Sequence, residues 1–179
     1  MKIINKILND VLIIKFDKIV IDSIETISIS DTDLKELGIN EKFIQDNFIK
    51  SYMGTLRGLH YQIEYPQAKL IQVLSGSILD FVVDLRNGSK TFKKSASFHI
   101  NSEDSTLIYI PIGFAHGFYV TSETADILYK VDKYRSPKHE RTLIWSDPLL
   151  EIVLPDNQNN PILSDKDSIG KYLNEIETF

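Results

Sequence analysis

Residues 69–86 read KLIQVLSGSILDFVVDLR, and in this stretch the pair Ser75-Gly76 separates two runs of apolar and β-branched residues. Short runs of this kind, bounded by Gly, Pro, Asn or Ser, are typical of strands. The pattern extends outward on both sides, from about Lys50 to Trp145. A turn signal recurs at roughly every eight to twelve residues, which is the spacing of an all-β sandwich or barrel. The sequence therefore predicts an all-β fold.

The individual strands can be placed from the same pattern. They are predicted at Thr55–Gln62, Lys69–Leu74, Ile78–Arg86, Ser95–Ile100, Leu107–Ile110, Gly117–Thr121, Asp126–Val131 and Thr142–Trp145. Ser75-Gly76 and Asn87-Gly88 are dipeptides of the kind that close hairpins. We therefore expect a tight turn at each of these two pairs.

Short helices are predicted on either side of the strand region. The first runs from Asp31 to Leu37, opened by Ser30 or Asp31 and closed by Gly38. The second follows Pro161, where one helical face carries Ile169, Tyr172, Leu173 and Ile176. We expect this C-terminal helix to be amphipathic and to pack on the barrel.

Length and composition limit the classes of protein that fit. The 179 residues suit one domain over residues 1–179, since a domain typically has roughly 100–200 residues. The absence of Cys favours a cytoplasmic location. Polar residues interrupt the first fifteen positions, MKIINKILNDVLIIK, so a signal peptide is not expected. No run reaches the ~20 apolar residues that span a membrane. A net charge of −5 argues against a nucleic-acid partner.

The segment GTLRGLHYQ, residues 54–62, combines an arginine, a histidine and two glycines in a predicted strand. Glycine inside a strand often marks close approach of another backbone or of a ligand. Taken alone, Arg57 could be a solvated surface residue and His60 a buried structural histidine. Strict alternation would send them to opposite faces, so a shared site requires a β-bulge near Gly58.

Charged residues occur in the next two predicted strands. Lys69 opens an otherwise apolar strand, and Asp80 and Asp84 share a face with Ile78 and Val82. Charges that face a barrel interior are costly unless they are paired or meet a ligand. The alternative is that these strands have one solvated face and that the charges point outward.

Two further residues are candidates for a site. His116 lies in PIGFAHGF, residues 111–118, a Pro- and Gly-containing loop that enters a strand. Loops held by a rigid scaffold often carry functional groups. Tyr129 lies in a strand, where an aromatic residue alone would be read as core packing.

Seven motifs together are more specific than any of these residues alone. They are Gly54–Gln62, Ala68-Lys69-Leu70, Val83–Arg86, Gly113–Phe118, Leu128-Tyr129-Lys130, His139-Glu140-Arg141 and Trp145–Pro148. In order and spacing, from about Leu34 to Asp167, the chain resembles the dTDP-4-dehydrorhamnose 3,5-epimerase family. The resemblance implies a cupin-type jelly-roll barrel, usually a homodimer with partly shared sites. It also implies action on nucleotide-linked 4-keto-6-deoxy sugars with no cofactor and no metal.

The chemistry of such sugars suits the residues found. A ketone at C4 acidifies the hydrogens at C3 and C5, so a neutral histidine can remove one and leave an enolate. The resemblance implies that His60 is this base, that Lys69 stabilises the enolate oxygen, and that Tyr129 returns a proton on the opposite face. It also implies that Asp167 fixes the tautomer of His60 and raises its basicity. The alternative for Asp167 is a capping pair with Ser164 at the start of the C-terminal helix.

The same resemblance implies a set of substrate-binding residues. Arg57 and His116 match positions near the sugar and the phosphates. Asp80 matches an acidic position beside the lysine, which it would orient. Gln45 and Asn47 match residues that border the nucleotide site.

Three features depart from the family pattern. An acidic-x-Arg-Gly segment, whose Arg reaches the nucleotide of a neighbouring subunit, is replaced around Asp22–Thr26 by residues without Arg or Gly. The loop between His60 and Lys69 is one residue shorter, and Arg135 follows Tyr134 where the family often has a second Tyr. These changes predict altered nucleotide or sugar recognition. The substrate could therefore be dTDP-linked or GDP-linked, a hexose or a heptose, and inverted at one carbon or at both.

Other functions compatible with a small barrel remain as alternatives. A metal-dependent cupin is disfavoured because the four histidines form no His-x-His pair. A 3,4-ketoisomerase of the same barrel type would move the keto group, and a non-catalytic sugar-binding barrel would need no base. Lys69 and Tyr129 favour epimerisation. His99 and His139 are interpreted as surface or structural residues.

Overall fold

Strands dominate the computed structural model, which describes residues 1–155 and 160–179. In those ranges the strands are β1 (Lys2–Ile7), β2 (Val11–Lys15), β3 (Ile19–Ile21), β4 (Ile24–Thr26), β5 (Gln45–Tyr52), β6 (Leu56–Gln62), β7 (Lys69–Ser75), β8 (Ser77–Asp84), β9 (Ser95–Asn101), β10 (Thr106–Ile110), β11 (Phe114–Val120), β12 (Thr124–Val131) and β13 (Glu140–Thr142). The α-helices there are α1 (Asp31–Glu36) and α2 (Asp165–Ser168), and 3-10 turns form at Ser102–Asp104 and Pro148–Leu150.

The strands form two antiparallel sheets and a small separate ribbon. The six-stranded sheet has the order β1-β2-β10-β7-β12-β5, the five-stranded sheet has the order β13-β6-β11-β8-β9, and β3 pairs with β4. Consecutive strands such as β7 and β8 belong to different sheets, so the chain passes back and forth between them, as in a jelly roll. The predicted all-β jelly-roll class is confirmed, with the two sheets left open.

Three apolar clusters follow from the alternation of side chains along the strands. Between the sheets lies a cluster that includes Ile71, Val82 and Phe118. The outer face of the five-stranded sheet is covered by the C-terminal segment through Leu173. The outer face of the six-stranded sheet packs Leu70 against the α1 region. Because neighbouring side chains on a strand point to opposite faces, residues 69 and 71 face the space between the sheets.

Strands β1 to β5 lie where the sequence pattern predicts none, so the prediction is wrong for this part of the chain. β2 contributes four buried residues, Val11 to Ile14. β1 pairs with β2, and Leu8 and Asn9 in the connection between them have positive φ. β5 is an edge strand whose side chains alternate between exposed and partly buried along most of its length. Its polar composition, QDNFIKSY, hides the apolar periodicity that identifies strands.

Both predicted dipeptides turn the chain, but neither forms the two-residue loop of a hairpin. Gly76 does turn the chain at φ +77°, and an added Cβ would lie 2.1 Å from the carbonyl oxygen of Thr124. However, β7 and β8 do not pair, because this turn carries the chain from one sheet to the other. Asn87-Gly88 forms the predicted tight turn, in which the Ser89 amide donates to the Arg86 carbonyl oxygen at 3.1 Å. This turn lies inside the longer connection, residues 85–94, that joins the paired strands β8 and β9.

The helix predictions have different outcomes. α1 begins after Ser30, whose hydroxyl accepts from the Asp33 amide, and the chain leaves it through Gly38 at φ +84°, as predicted. A short C-terminal helix is present as α2, capped by Ser164, but it ends at Ser168, so the predicted amphipathic face that reaches Ile176 does not form. Beyond it, the Lys171 backbone bonds to Thr142 and Ile144 instead of continuing a helix.

The β-bulge near Gly58 is confirmed. β6 pairs with β11 through His116 opposite His60 and Phe118 opposite Arg57, so two residues of β6 stand against one of β11. Gly58 has φ +119°, and an added Cβ would lie 2.5 Å from the Cα of Gly117. The bulge places Arg57 and His60 on the same side of the sheet.

We expect Gly58→Ala to lower the free energy of unfolding by about 3 kcal/mol, through the positive φ and the backbone overlap. Urea denaturation measures this loss. Gly88→Ala is the matched control, because Gly88 also has positive φ, at +84°, but no atom within 4 Å of the added Cβ. Equal losses in the two variants would contradict the role given to close approach at the bulge.

Candidate active site

A cavity of about 360 Å³ opens between the two sheets. Seven of the nine predicted site residues line it: Gln45, Asn47, Arg57, His60, Lys69, His116 and Tyr129. The other two, Asp80 and Asp167, are fully buried behind the lining and contact its histidines. The structure thus brings all nine residues to one place.

Each wall of the cavity comes from a different sheet. The five-stranded sheet supplies Arg57 and His60 from β6 and His116 from β11. The six-stranded sheet supplies Lys69 from β7 and Tyr129 from β12. On β5, Asn47 pairs with Tyr129, and Gln45 pairs with Val131 two positions along. The imidazole of residue 60 and the phenol of residue 129 therefore belong to opposite walls.

His60 is held by Asp167. The His60 Nε2 atom lies 2.5 Å from Oδ1 of Asp167, whose side chain is 1% exposed. The other carboxylate oxygen accepts a hydrogen bond of 2.7 Å from the Ser164 hydroxyl, which in turn accepts from the Asp167 amide. The two interpretations of Asp167 are therefore compatible, since one oxygen serves the cap and the other serves the histidine.

Burial sets the protonation of this pair. Desolvation lowers the pKa of His60 below its usual value, and the hydrogen bond that His60 donates to Asp167 only partly opposes this effect. The pKa of Asp167 is also lowered: burial raises it, but the hydrogen bonds from His60 and Ser164 outweigh burial. At neutral pH the imidazole is therefore neutral and the carboxylate is charged, which leaves His60 able to accept a proton.

A second imidazole–carboxylate pair lies beside the first. His116 Nε2 is 2.9 Å from Oδ2 of Asp80, and the other oxygen of Asp80 is buried without a hydrogen-bond partner in the described ranges. Burial raises the pKa of Asp80, against the effects of His116 and Lys69. Asp80 therefore hydrogen-bonds His116, and it acts on Lys69 through its charge.

Lys69 contacts the backbone of the residue that carries the imidazole. Its Nζ donates to the carbonyl oxygen of His60 at 3.4 Å. Desolvation lowers the pKa of Lys69 to about 8, although the charges of Asp80 and Glu140 act in the opposite direction. The ammonium form therefore predominates at neutral pH and is lost as the pH rises through about 8.

This shift predicts an alkaline limit for catalysis. If the Lys69 ammonium stabilises an oxyanion, kcat/KM should fall above a pH of about 8, because kcat/KM reports the pKa values of the free enzyme. Initial rates between pH 6 and pH 10 measure this limb. Lys69→Arg is the matched variant, because a guanidinium stays charged throughout this range. The residual kcat/KM of this variant should therefore no longer fall at alkaline pH. An unchanged limb in this variant would assign it to another group.

Arg57 has donors available for an anion. Its Nη1 lies 3.9 Å from Oδ2 of Asp167, beyond hydrogen-bond distance, and is buried with no hydrogen-bond partner among the described residues. A buried donor without a partner is costly unless a ligand supplies one. Arg57 is thus oriented by charge and free to bind.

Three charged lining residues were not predicted as site residues: Arg135, Glu140 and Lys166. Glu140 Oε2 accepts from Nε of Arg135 at 3.2 Å and from Nη2 at 2.7 Å, and Glu140 Oε1 lies 2.7 Å from Nζ of Lys166. The sequence signals were the motif His139-Glu140-Arg141 and the unusual Arg after Tyr134. Neither signal indicates that these side chains meet.

The remaining polar candidates lie outside the cavity lining. Asp84 is buried and binds Arg86, Ser89 and Thr91, so it anchors the chain after β8. His99 is exposed on β9. His139 contacts Ser136 at 2.8 Å in the β12–β13 connection.

Two features are absent from residues 1–155 and 160–179. No cluster of three or more His, Asp or Glu side chains there could hold a metal ion. No helix in the same ranges is long and apolar enough to cross a membrane.

An open jelly roll with a cavity that holds imidazole–carboxylate pairs, an ammonium and a phenol defines an isomerase of the acid–base type. The model of the dTDP-4-dehydrorhamnose 3,5-epimerase family matches residues 9–175. The chain belongs to this family. The resemblance deduced from its seven motifs is thereby confirmed.

Individual relatives agree with this assignment. A dTDP-4-dehydrorhamnose 3,5-epimerase of Pseudomonas aeruginosa is 45% identical over 137 residues, which are 76% of this chain and 75% of that protein. The Bacillus anthracis enzyme, solved with TDP and PPi bound, has a TM-score of 0.90 and 37% identity, and the match covers 96% of this chain and 99% of that one. The Legionella pneumophila enzyme, in complex with dTDP-4-keto-L-rhamnose, has a TM-score of 0.90 and 38% identity, covering 98% and 94%.

Proposed function

We propose that this chain is a cofactor-independent epimerase of a nucleotide-diphosphate 4-keto-6-deoxy sugar, acting at C3 and C5 as a single domain over residues 1–179. The observation that carries the proposal is the placement of His60 and Tyr129 on opposite walls of one cavity. Inversion of a carbon needs a base on one face and an acid on the other. Membership of the family supports the same reaction.

The proposed reaction uses the cavity residues in sequence. The His60 nitrogen not bonded to Asp167 takes the proton from C5 or C3, and the electron pair moves into the C4 ketone as an enolate. The Lys69 ammonium stabilises the enolate oxygen, a contribution that in other enzymes is worth about 10²–10³ in rate. The Tyr129 hydroxyl then gives its proton to the opposite face of the carbon, and the ketone re-forms. The tyrosinate recovers a proton from water, and the His60 imidazolium releases to water the proton that it took.

The proposed substrate is dTDP-linked. The relatives from B. anthracis and L. pneumophila hold TDP and dTDP-4-keto-L-rhamnose, and the donors of Arg57 fit a diphosphate or sugar oxygen. His116, Asp80, Gln45 and Asn47 complete the proposed binding set.

A second candidate keeps the reaction and changes the nucleotide or the sugar. It rests on Arg135, which lines the cavity where the family often has a tyrosine, and on residues 22–26, which carry no Arg and include the exposed strand β4. A GDP-linked sugar, a heptose, or inversion at one carbon only would fit such a change.

A homodimer in the cytoplasm is part of the same proposal. The β3–β4 ribbon exposes Ile19, Val20, Ile21 and Ile24 by 53–65% of their surface. The outer side of edge strand β5 exposes Phe48 and Tyr52. Contiguous exposed apolar surface of this kind is typical of protein interfaces, and a second copy is the proposed partner. The absence of cysteine fits a reducing compartment.

Proton NMR in deuterated water tests the function. The purified protein is incubated with dTDP- and GDP-linked 4-keto-6-deoxy sugars, and the C3 and C5 proton signals are followed. We expect both signals to disappear with the dTDP-linked sugar. Exchange only with the GDP-linked sugar, or at one carbon, would select the second candidate. A keto group that moves to C3 would indicate a ketoisomerase, and no change with any sugar would indicate a binding protein.

A further inference from the structure

Arg135 is held in place at the edge of the cavity by an ion-pair cluster. Two of its nitrogens bond one oxygen of Glu140, at 2.7 and 3.2 Å, and Lys166 lies 2.7 Å from the other oxygen. The cluster joins the connection before β13 to helix α2, whose Asp167 holds His60. The guanidinium of Arg135 therefore has a fixed orientation in the cavity lining.

The cluster carries one net positive charge, since two cations share one carboxylate. Lys166 pairs with part of the charge of Glu140, so that carboxylate does not neutralise Arg135 completely. A charge of this sign favours any group nearby that becomes an anion during the reaction.

Tyr129 is such a group. Its phenol lines the same cavity, half-buried in β12. Burial raises the pKa of Tyr129, the positive charge of Arg135 is the main opposing influence, and Glu140 adds to the rise. Arg135 and Tyr129 line the same cavity, and the guanidinium favours the tyrosinate against the effect of burial.

We propose that Arg135 is a positioning residue for the proton-return half of the reaction: held by Glu140, it stabilises the tyrosinate that forms when Tyr129 gives its proton to the carbanion. The inference rests on the proposed epimerase function and assigns a role to a residue that differs from the family pattern. It concerns the step after proton removal, so removal by His60 should not depend on it.

The test separates proton removal from inversion. In deuterated water, deuterium in recovered substrate reports removal and return on the same face, and deuterium in the epimer reports inversion. We expect Arg135→Gln to slow inversion about three- to tenfold, because more than half of the Arg135 side chain is exposed and water screens its charge. Exchange into recovered substrate should change by less than about twofold, within the spread of a surface substitution.

Three further variants test the role of Arg135. Arg135→Lys keeps the charge and should restore most of the inversion rate. Arg135→Gln combined with Tyr129→Phe should be no slower in inversion than Tyr129→Phe alone, because coupled residues do not add. Arg141→Gln removes a guanidinium that pairs with Glu177 outside the cavity lining, and it should leave the ratio of exchange to inversion unchanged.

Two outcomes would overturn the inference while leaving the function intact. One is an unchanged ratio of exchange to inversion in Arg135→Gln. The other is a rise in KM alone, which would make Arg135 a substrate-binding residue. A wild-type protein that exchanges no proton from any 4-keto sugar would instead overturn the proposed function and the inference with it.

Discussion

Replacement of His60 by Asn is expected to abolish both exchange and inversion, with a rate loss of about 10²–10⁴. The imidazole is the proposed base, and its neutral state follows from the burial that lowers its pKa. Asn can still hydrogen-bond Asp167, so the fold and α2 should be preserved. Deuterium exchange at C3 and C5, followed by NMR, measures the loss.

The matched control for this prediction is His99→Asn. His99 is exposed on β9, away from the cavity lining, so the same chemical change there should leave the rates unchanged. A His60→Asn variant that still exchanges protons at close to the wild-type rate would refute His60 as the base.

Tyr129→Phe is expected to separate the two halves of the reaction. The variant keeps His60 and Lys69, so the enolate should still form and take up deuterium on the face from which the proton left. Inversion should fall by about 10²–10⁴, because the opposite face has lost its proton donor. The readout is deuterium in recovered substrate without formation of the epimer.

Tyr172→Phe is the control for this second prediction, since the Tyr172 side chain is half-exposed outside the cavity lining. Inversion should proceed normally in this variant. If Tyr129→Phe still inverted the sugar, the proton donor would be another group or water.

The sequence predicted the strands from β6 onward better than β1 to β5. β6 to β8 and β10 to β12 have the apolar and β-branched runs of buried strands. The bulge in β6 was predicted because Arg57 and His60 can share a face only if an extra residue is inserted near Gly58. β5 was missed because an edge strand with one exposed face has a polar composition. The C-terminal helix is shorter than predicted because Lys171 bonds to Thr142 of β13 and to Ile144 after it, a tertiary contact that helical periodicity does not register.

The nine site residues could be assigned to one site before the structure was known only because of the family resemblance. Strand alternation alone would have separated Arg57 from His60, and Asp167 alone read as a helix cap. The cluster of Arg135, Glu140 and Lys166 could not be predicted in the same way. It joins residues from the connection before β13, from β13 itself and from α2, and charged residues in such places are usually solvated.

The most direct test of opposite-face proton transfer is a crystal structure of the protein with a bound dTDP-hexose that lacks the ketone and so cannot be enolised. We predict that the carbon to be inverted lies between the free ring nitrogen of His60 and the Tyr129 oxygen, with each about 3–3.5 Å away on opposite faces of the sugar. We also predict that O4 lies within hydrogen-bond distance of the Lys69 ammonium. A sugar bound with both groups on the same face, or with O4 directed away from Lys69, would contradict the account.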